Sequence, residues 1–377
     1  MALALLGPGP PDRGGIAQQT MLLADALGPR LAGYFSYARP YPRLVNPRRF
    51  DVAPELLGAA KGVTPALDWA RPWSWRRTAQ RIVATGAAAV IAPWWTAFWG
   101  LPLRGVFRAA RRNNTRFQSV ILCHHVFDHE SAAWKKHLTW RAFAAADAVI
   151  AQSDADRETI AARFPRMPIR VLPHPVEERP PADRDAARRR LGVDGPLVLF
   201  LGLVRPYKGL DVLFDAAPSI VGEADASIAV VGEVFPESRA ATAELMRRPI
   251  ASRVRLVDRY VTENEMDEWL AACDVVVCPY RKNSGSGIAA RAIAARRPVV
   301  ASDQSGFRPF VGPRTGALVP EDDPAALADA TIAVLRAGVS RYATGLGEVA
   351  AAHGWRPYAD EVERFAAEIA GFRQRED

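Results

Sequence analysis

Residues 274–302 read DVVVCPYRKNSGSGIAARAIAARRPVVAS, and this stretch decides the fold class. Val275, Val276 and Val277 form a short β-branched run, Ser and Gly crowd the loop after it, and a helical segment leads to a second strand at residues 298–301. Branched side chains favour a pleated, buried strand, and two strands separated by a helix are one repeat of a parallel sheet. The loop opens onto a helix N-terminus, where unpaired N–H groups and the macrodipole favour an anion. A nucleotide or a sugar phosphate is the kind of ligand such a unit takes.

The same rhythm extends in both directions. Strands are expected at residues 197–201, 228–231 and 254–257 upstream, and before them at 2–6, 88–92, 120–123, 148–151 and 169–172, with helical patterns between. Ile16, Met21, Leu22, Ala26 and Leu27 are expected to share one side of the first helix. Two Rossmann-like α/β domains follow, at 1–174 and 196–352. A proline-rich, charged linker is expected at 175–195 and an amphipathic tail at 353–377, where Val362, Phe365, Ala366, Ile369 and Phe372 form one stripe.

Composition agrees with this reading. The 377 residues suffice for two domains, and 49% hydrophobic with 24% charged residues is a globular balance. No apolar run approaches the roughly 20 residues of a membrane span. The opening MALALLG lacks a basic lead and is read as a first strand rather than a signal peptide. Cys123, Cys273 and Cys278 have neither metal-ligand nor redox spacing and are expected as buried thiols.

The net charge of +8 is unevenly placed: residues 1–185 carry 25 Lys and Arg against 15 Asp and Glu, and the remainder is slightly acidic. The same half holds eight of the ten tryptophans, six of them in clusters at Trp69, Trp73 and Trp75 and at Trp94, Trp95 and Trp99. Basic residues beside tryptophan suit an anionic membrane surface. A solvated Arg-rich surface over an aromatic core is the alternative. Without a nucleic-acid-binding motif, nucleic acid is not expected as a partner.

Three loops carry the candidate chemistry. Gly14 and Gly15 follow the first strand and let backbone approach a ligand, although such a pair is often only a turn. The segment 202–209, GLVRPYKG, places Arg205 and Lys208 after a strand, where a planar fork and a point charge suit a diphosphate. In the third loop Asn283, Ser284 and Ser286 can cap the helix or bond phosphate, and Gly285 and Gly287 leave the backbone bare.

These loops, with VRPYKGLDVLFDA, AACDVVVCPY, RRPVVASD and the late Trp355, resemble a GT-B glycosyltransferase, most closely the retaining family-four (glycosyl transferases group 1) type. The resemblance covers most of the chain. It implies two facing Rossmann-like domains with a C-terminal helix crossing back to the first. It also implies a nucleotide-sugar co-substrate, UDP- or GDP-linked, held mainly by the second domain, an acceptor held mainly by the first, and no catalytic metal. His124, in CHHVFDHE with His129 nearby, is similar to the cleft histidine of such transferases and is the candidate catalytic residue. Base recognition is expected at Tyr260 and Val261. The family's paired glutamates align with Asn283 and Arg291, and Arg291 can only donate hydrogen bonds. A reach toward a phosphate and a plain solvated position are both open to it. A similar subgroup carries Ser-Gly at this loop without the glutamates.

The expected activity is sugar transfer to a lipid-linked or glycan acceptor in cell-envelope or polysaccharide biosynthesis, with retention. The expected location is cytoplasmic, peripheral on the inner face of the plasma membrane. A non-catalytic partner subunit of the same fold, or an epimerase or phosphorylase, is the alternative.

Overall fold

In the computed structural model, which describes residues 1–10, 15–39, 62–127, 133–177, 182–282 and 285–373, short branched runs pair side by side into two parallel sheets. The chain divides into two units, Met1–Leu172 with Trp355–Asp377, and Pro173–Gly354.

The first unit runs β1 (Leu3–Leu6), α1 (Gly15–Leu27), β2 (Leu31–Arg39), β3 (Val63–Asp68), α2 (Pro72–Ala84), β4 (Ala89–Trp94), α3 (Gly100–Asn113), β5 (Gln118–Cys123), α4 (Ala133–Phe143), β6 (Ala148–Ala151), α5 (Asp154–Arg163) and β7 (Ile169–Val171). Its strands lie in the order β3-β2-β1-β4-β5-β6-β7, all parallel. Every residue of β4 and β5 is buried, as expected for strands covered on both faces. On one face, Ile82, Leu103, Phe107, Phe143 and Ile160 from α2 to α5 close the core. On the other lie α1 and the tail helix Trp355–Arg373, which inserts Tyr358, Val362, Phe365 and Ile369 against Leu3, Ile91 and Val120. Each such side chain contributes about 1.5–3 kcal/mol on burial.

Two expectations shift here. The buried face of α1 is Ala17, Thr20, Leu23 and Leu27, so Ile16, Met21, Leu22 and Ala26 are only partly covered. The tryptophan clusters are largely interior: Trp94 and Trp99 are buried, Tyr37 stacks on Trp99 at 3.9 Å, and Trp94 meets Phe143 edge-on at 5.3 Å. Such pairs add to core packing beyond their buried area. Phe372 of the expected tail stripe lies outside the residues whose side chains are described.

The second unit runs α6 (Arg184–Leu191), β8 (Leu197–Leu201), α7 (Leu210–Ala224), β9 (Ser227–Val231), α8 (Arg239–Leu245), β10 (Val254–Val257), α9 (Glu263–Ala272), β11 (Val275–Cys278), α10 (Gly287–Ala294), β12 (Val299–Ser302), β13 (Gly316–Val319), α11 (Pro324–Ala337) and α12 (Ala343–Ala352). Its parallel strands lie in the order β10-β9-β8-β11-β12-β13. Part of the stretch expected as linker is therefore helix: Asp183 caps α6, accepting from Ala186 N at 3.0 Å. Asp274 binds α6 to the sheet, accepting from Arg184 at 2.5 Å and from Leu197 N at 2.8 Å. Cys123, Cys273 and Cys278 are free and buried.

Candidate functional site

In a doubly wound sheet, ligands bind beyond the strand C-termini where the strand order reverses. In the second unit that point lies between β8 and β11. The two loops leaving these strands are 202–209 and 279–286, the two richest candidates in the sequence. They are joined directly: Arg281 N donates to the Tyr207 carbonyl at 2.8 Å. The Arg281 guanidinium then clamps Asp211 at 2.7 Å and Asp322 at 2.6 Å. Gly209 sits at φ +66°, and a Cβ there would lie 2.0 Å from the Pro279 carbonyl oxygen, so only glycine permits the approach.

Arg205 and Lys208 stand at this junction. The residues before Arg205 extend alongside the β9 loop, with Val204 N donating to Glu233 O at 2.9 Å and Phe235 N to Val204 O at 3.1 Å. The Arg205 guanidinium lies 4.0 Å over the Phe235 ring, a stacking arrangement that leaves its planar fork of N–H groups for an anion. Lys208 is buried, its ammonium 4.9 Å from the Tyr280 ring centre. Its pKa is lowered to about 8, chiefly by burial, with the Cys278 thiol opposing the shift and the nearby Arg205 charge adding to it. Among the described residues neither cation forms an ion pair. Two positive groups without carboxylates, at a switch point, can neutralise a diphosphate.

The Ser/Gly loop is only partly described, because Asn283 and Ser284 lie outside the described residues. Ser286 is the N-cap of α10, its buried hydroxyl accepting from Ala289 N at 3.2 Å. That oxygen is committed to the helix, which turns the remaining N–H groups of the first turn outward. Gly285 precedes it. A Cβ on Gly287 would meet only His174 Nε2, at 3.6 Å, an ordinary contact, so packing does not demand glycine there. His174 was hidden in the proline-rich segment read as a linker margin. Its Nδ1 bonds the Pro175 carbonyl at 2.8 Å, and burial is the first cause of its lowered pKa. The neutral ring therefore presents Nε2 as an acceptor toward the α10 N-terminus.

Arg291 is not the plain solvated position: its side chain is mostly buried and pairs with Glu263 and, at 3.7 Å, with Asp267, both on α9. One helical turn separates these carboxylates, so they present a matched pair of charges to one guanidinium. Tyr260, in the loop between β10 and α9, is 64% exposed, whereas Val261 is buried in the core. Thr262 and Glu265 form a capping box after them, and Glu265 also holds Arg259.

In the first unit, Gly14 lies outside the described residues and Gly15 opens α1. A Cβ on Gly15 would meet nothing within 4 Å among the described residues. His124 follows β5 and is buried, its N–H donating to Trp94 O at 2.9 Å. Its Nδ1 is 3.0 Å from Nε2 of Gln152, itself buried at the end of β6. With the Gln152 amide donating, the neutral imidazole carries its proton on Nε2. Beside this pair, Asp156 accepts from Ser153 at 2.8 Å and from Val126 N at 3.4 Å, and burial raises its pKa. His129 lies outside the described residues. Among the described residues no group of three or more His, Cys, Asp and Glu comes together as a metal site.

Comparison with known proteins places these features in context. Residues 13–179 match the family described as Glycosyltransferase Family 4, and residues 195–337 match Glycosyl transferases group 1. The chain is 32% identical over 229 residues to D-inositol 3-phosphate glycosyltransferase 1 of Catenulispora acidiphila, a match covering 54% of each chain. It is 30% identical over 220 residues to a lipopolysaccharide core biosynthesis mannosyltransferase of Rhizobium meliloti, covering 54% of this chain and 60% of that one. The chain thus spans little more than half the length of the curated relatives it matches. Its fold is similar to that of Anabaena HepE crystallised with UDP, at a TM-score of 0.75 and 16% identity, over 98% of this chain and 100% of that one.

Proposed function

We propose, for a chain that belongs to the family-four, group 1 glycosyltransferases, the transfer of a sugar from a nucleotide-sugar donor to a lipid-linked or glycan acceptor. The observation that carries the proposal is the Arg205–Lys208 pair at the second sheet's switch point, which among the described residues forms no ion pair with a carboxylate. A diphosphate leaving group seats there, with the α10 N-terminus adjoining it. HepE, a neighbour in fold, was crystallised with UDP, which favours a uridine nucleotide donor. The exposed Tyr260 ring is available to a base, through stacking that reads little of its identity.

His124, whose Nδ1 is held by Gln152, is the residue read as contacting the transferred sugar or acceptor. Chemistry then consists of holding donor and acceptor in place and stabilising charge on the departing diphosphate, with retention at the anomeric carbon and no resident metal. Synthesis of an envelope glycan, at the inner membrane face, fits the acceptor class.

Titration calorimetry against a panel of UDP- and GDP-sugars tests the donor site. Micromolar binding by the native protein, weakened about tenfold or more in Arg205→Ala and in Lys208→Ala, supports it. Unchanged affinity in both variants refutes it. Tight donor binding with no transfer to any acceptor would instead favour a non-catalytic partner subunit, to which the absence of the paired glutamates also points.

A further inference from the structure

Helices α2, α3 and α4 pack in a row on one face of the first sheet. Together they carry ten Lys and Arg and not one Asp or Glu. Arg76, Arg77, Arg108, Lys136 and Arg141 are exposed on them and form no ion pair among the described residues. Burial, and then repulsion from Arg108 and Arg141, lower the pKa of Arg104, so cations of neighbouring helices face one another.

The opposite face of the same unit is built differently. There Arg30 pairs with Asp360 at 2.5 Å and Glu363 at 3.0 Å, and Arg170 with Glu361 at 3.1 Å and Glu368 at 2.6 Å. A basic composition alone does not account for the contrast, because one layer pairs Arg30 and Arg170 with carboxylates, whereas in the other Arg111 pairs with Asp147 and five exposed cations form no ion pair among the described residues.

Exposed apolar side chains lie on the bare layer too. Trp73, Leu101 and Trp134 are each the second residue of their helix, and they are 62%, 42% and 61% exposed. Each helix follows a parallel strand, so the three N-termini come to one edge of the sheet, where His124 leaves β5. Indole rings favour the headgroup level of a bilayer, and Arg and Lys behind them favour its anionic charge. A polynucleotide would use the cations but gains nothing from the aliphatic Leu101.

We propose that the α2–α3–α4 layer docks on an anionic phospholipid surface, with Trp73, Leu101 and Trp134 entering the headgroup region and the arginines above them meeting lipid phosphates. The docking brings the edge that holds His124 to the membrane, where a lipid-linked acceptor is found. It rests on the acceptor reading above for its purpose, but its test is separate.

The test is flotation of the full chain with vesicles of phosphatidylcholine alone and of about three-to-one phosphatidylcholine–phosphatidylglycerol. Binding to the anionic vesicles only, weakening steeply with salt, is expected. The double variant Trp73→Ser/Trp134→Ser should lose affinity roughly tenfold or more, and so should Arg77→Glu/Arg108→Glu. These side chains are exposed, and an unchanged thermal midpoint will show that the fold is intact. Quenching of tryptophan fluorescence by brominated lipid, lost in the tryptophan variant, is the second readout. No binding to anionic vesicles at low salt overturns the proposal, as does equal binding by the tryptophan variant. Displacement of vesicles by single-stranded RNA, with RNA binding unaffected by the tryptophan changes, overturns it in favour of a polynucleotide. UDP-sugar binding measured on the same preparations should be unchanged; its absence in the native protein would count against the donor site and leave the docking result standing.

Discussion

The Lys208 ammonium stands 4.9 Å from the centre of the Tyr280 ring, with the Cys278 thiol and the Arg205 cation as its electrostatic neighbours and no ion-paired carboxylate among the described residues. Burying an unpaired ammonium is unfavourable, which is why its pKa falls from 10.5 to about 8. The site is therefore held in tension until an anion arrives.

The first prediction follows from that tension. Between pH 8 and 10.5 the unfolded chain holds a proton on Lys208 that the folded chain has released, so stability rises with pH across this window. Below pH 8 the full cost of the buried charge is present. Lys208→Met should accordingly stabilise the ligand-free protein by about 1–3 kcal/mol at pH 7 and lose the upward slope above pH 8. Urea denaturation at several pH values measures both. Donor affinity should move the opposite way, falling in the native protein as pH passes 8, and calorimetry with UDP reads it.

Gly209→Ala should separate the two phosphate loops. Its φ of +66° disfavours a side chain, and the new Cβ would overlap the Pro279 carbonyl. A loss of about 2 kcal/mol or more in urea denaturation is expected, with donor binding weakened even at temperatures where the protein remains folded.

Arg291→Ala should behave as the loss of an ion pair. Glu263 and Asp267 would be left facing each other one turn apart, at a cost of about 1–2 kcal/mol. Donor affinity is expected to change less than in Lys208→Ala. A drop as large as that variant's, measured side by side, would place Arg291 on the donor after all.

Gln152→Leu should remove the partner that fixes the His124 tautomer. The expected result is a kcat reduced about tenfold and an altered pH profile, at unchanged donor affinity. His124→Ala should reduce kcat about a hundredfold. If Gln152→Leu left both rate and profile unchanged, the hydrogen bond would be merely structural.

Branched, doubly buried strands were the legible part of this fold. Residues 197–201, 228–231 and 274–302 announce their elements because a covered parallel strand suits such runs, and the edge strand at 254–257 was legible from its branched Val254 and Val257. The strands that escaped notice are β2, β3 and β13. Edge strands are half-covered: β3 contains Pro65, which a sheet edge tolerates, and β13 is the short GALV at the other sheet's edge. The central β2 is diluted by Ala32, Gly33 and Ser36. Arg205 and Lys208 were readable as a charge pair following a strand. The partners of Arg291 were not, because the α9 carboxylates lie more than twenty residues away and meet it only through packing. His174 looked like punctuation among prolines, and no sequence spacing links it to Gly287.

The tail helix makes the first unit discontinuous along the chain, since residues 173–354 are all spent on the other unit before Tyr358, Val362, Phe365 and Ile369 appear. During synthesis, at roughly 5–20 residues per second, the sheet face around Leu3, Ile91 and Val120 therefore stays uncovered on the ribosome long after its strands have emerged. The second unit, contiguous in sequence, has every residue it needs first. The nascent protein thus matures from the middle outward, and a stalled or prematurely released chain carries an open apolar face into the cell, where chaperones or proteases will meet it.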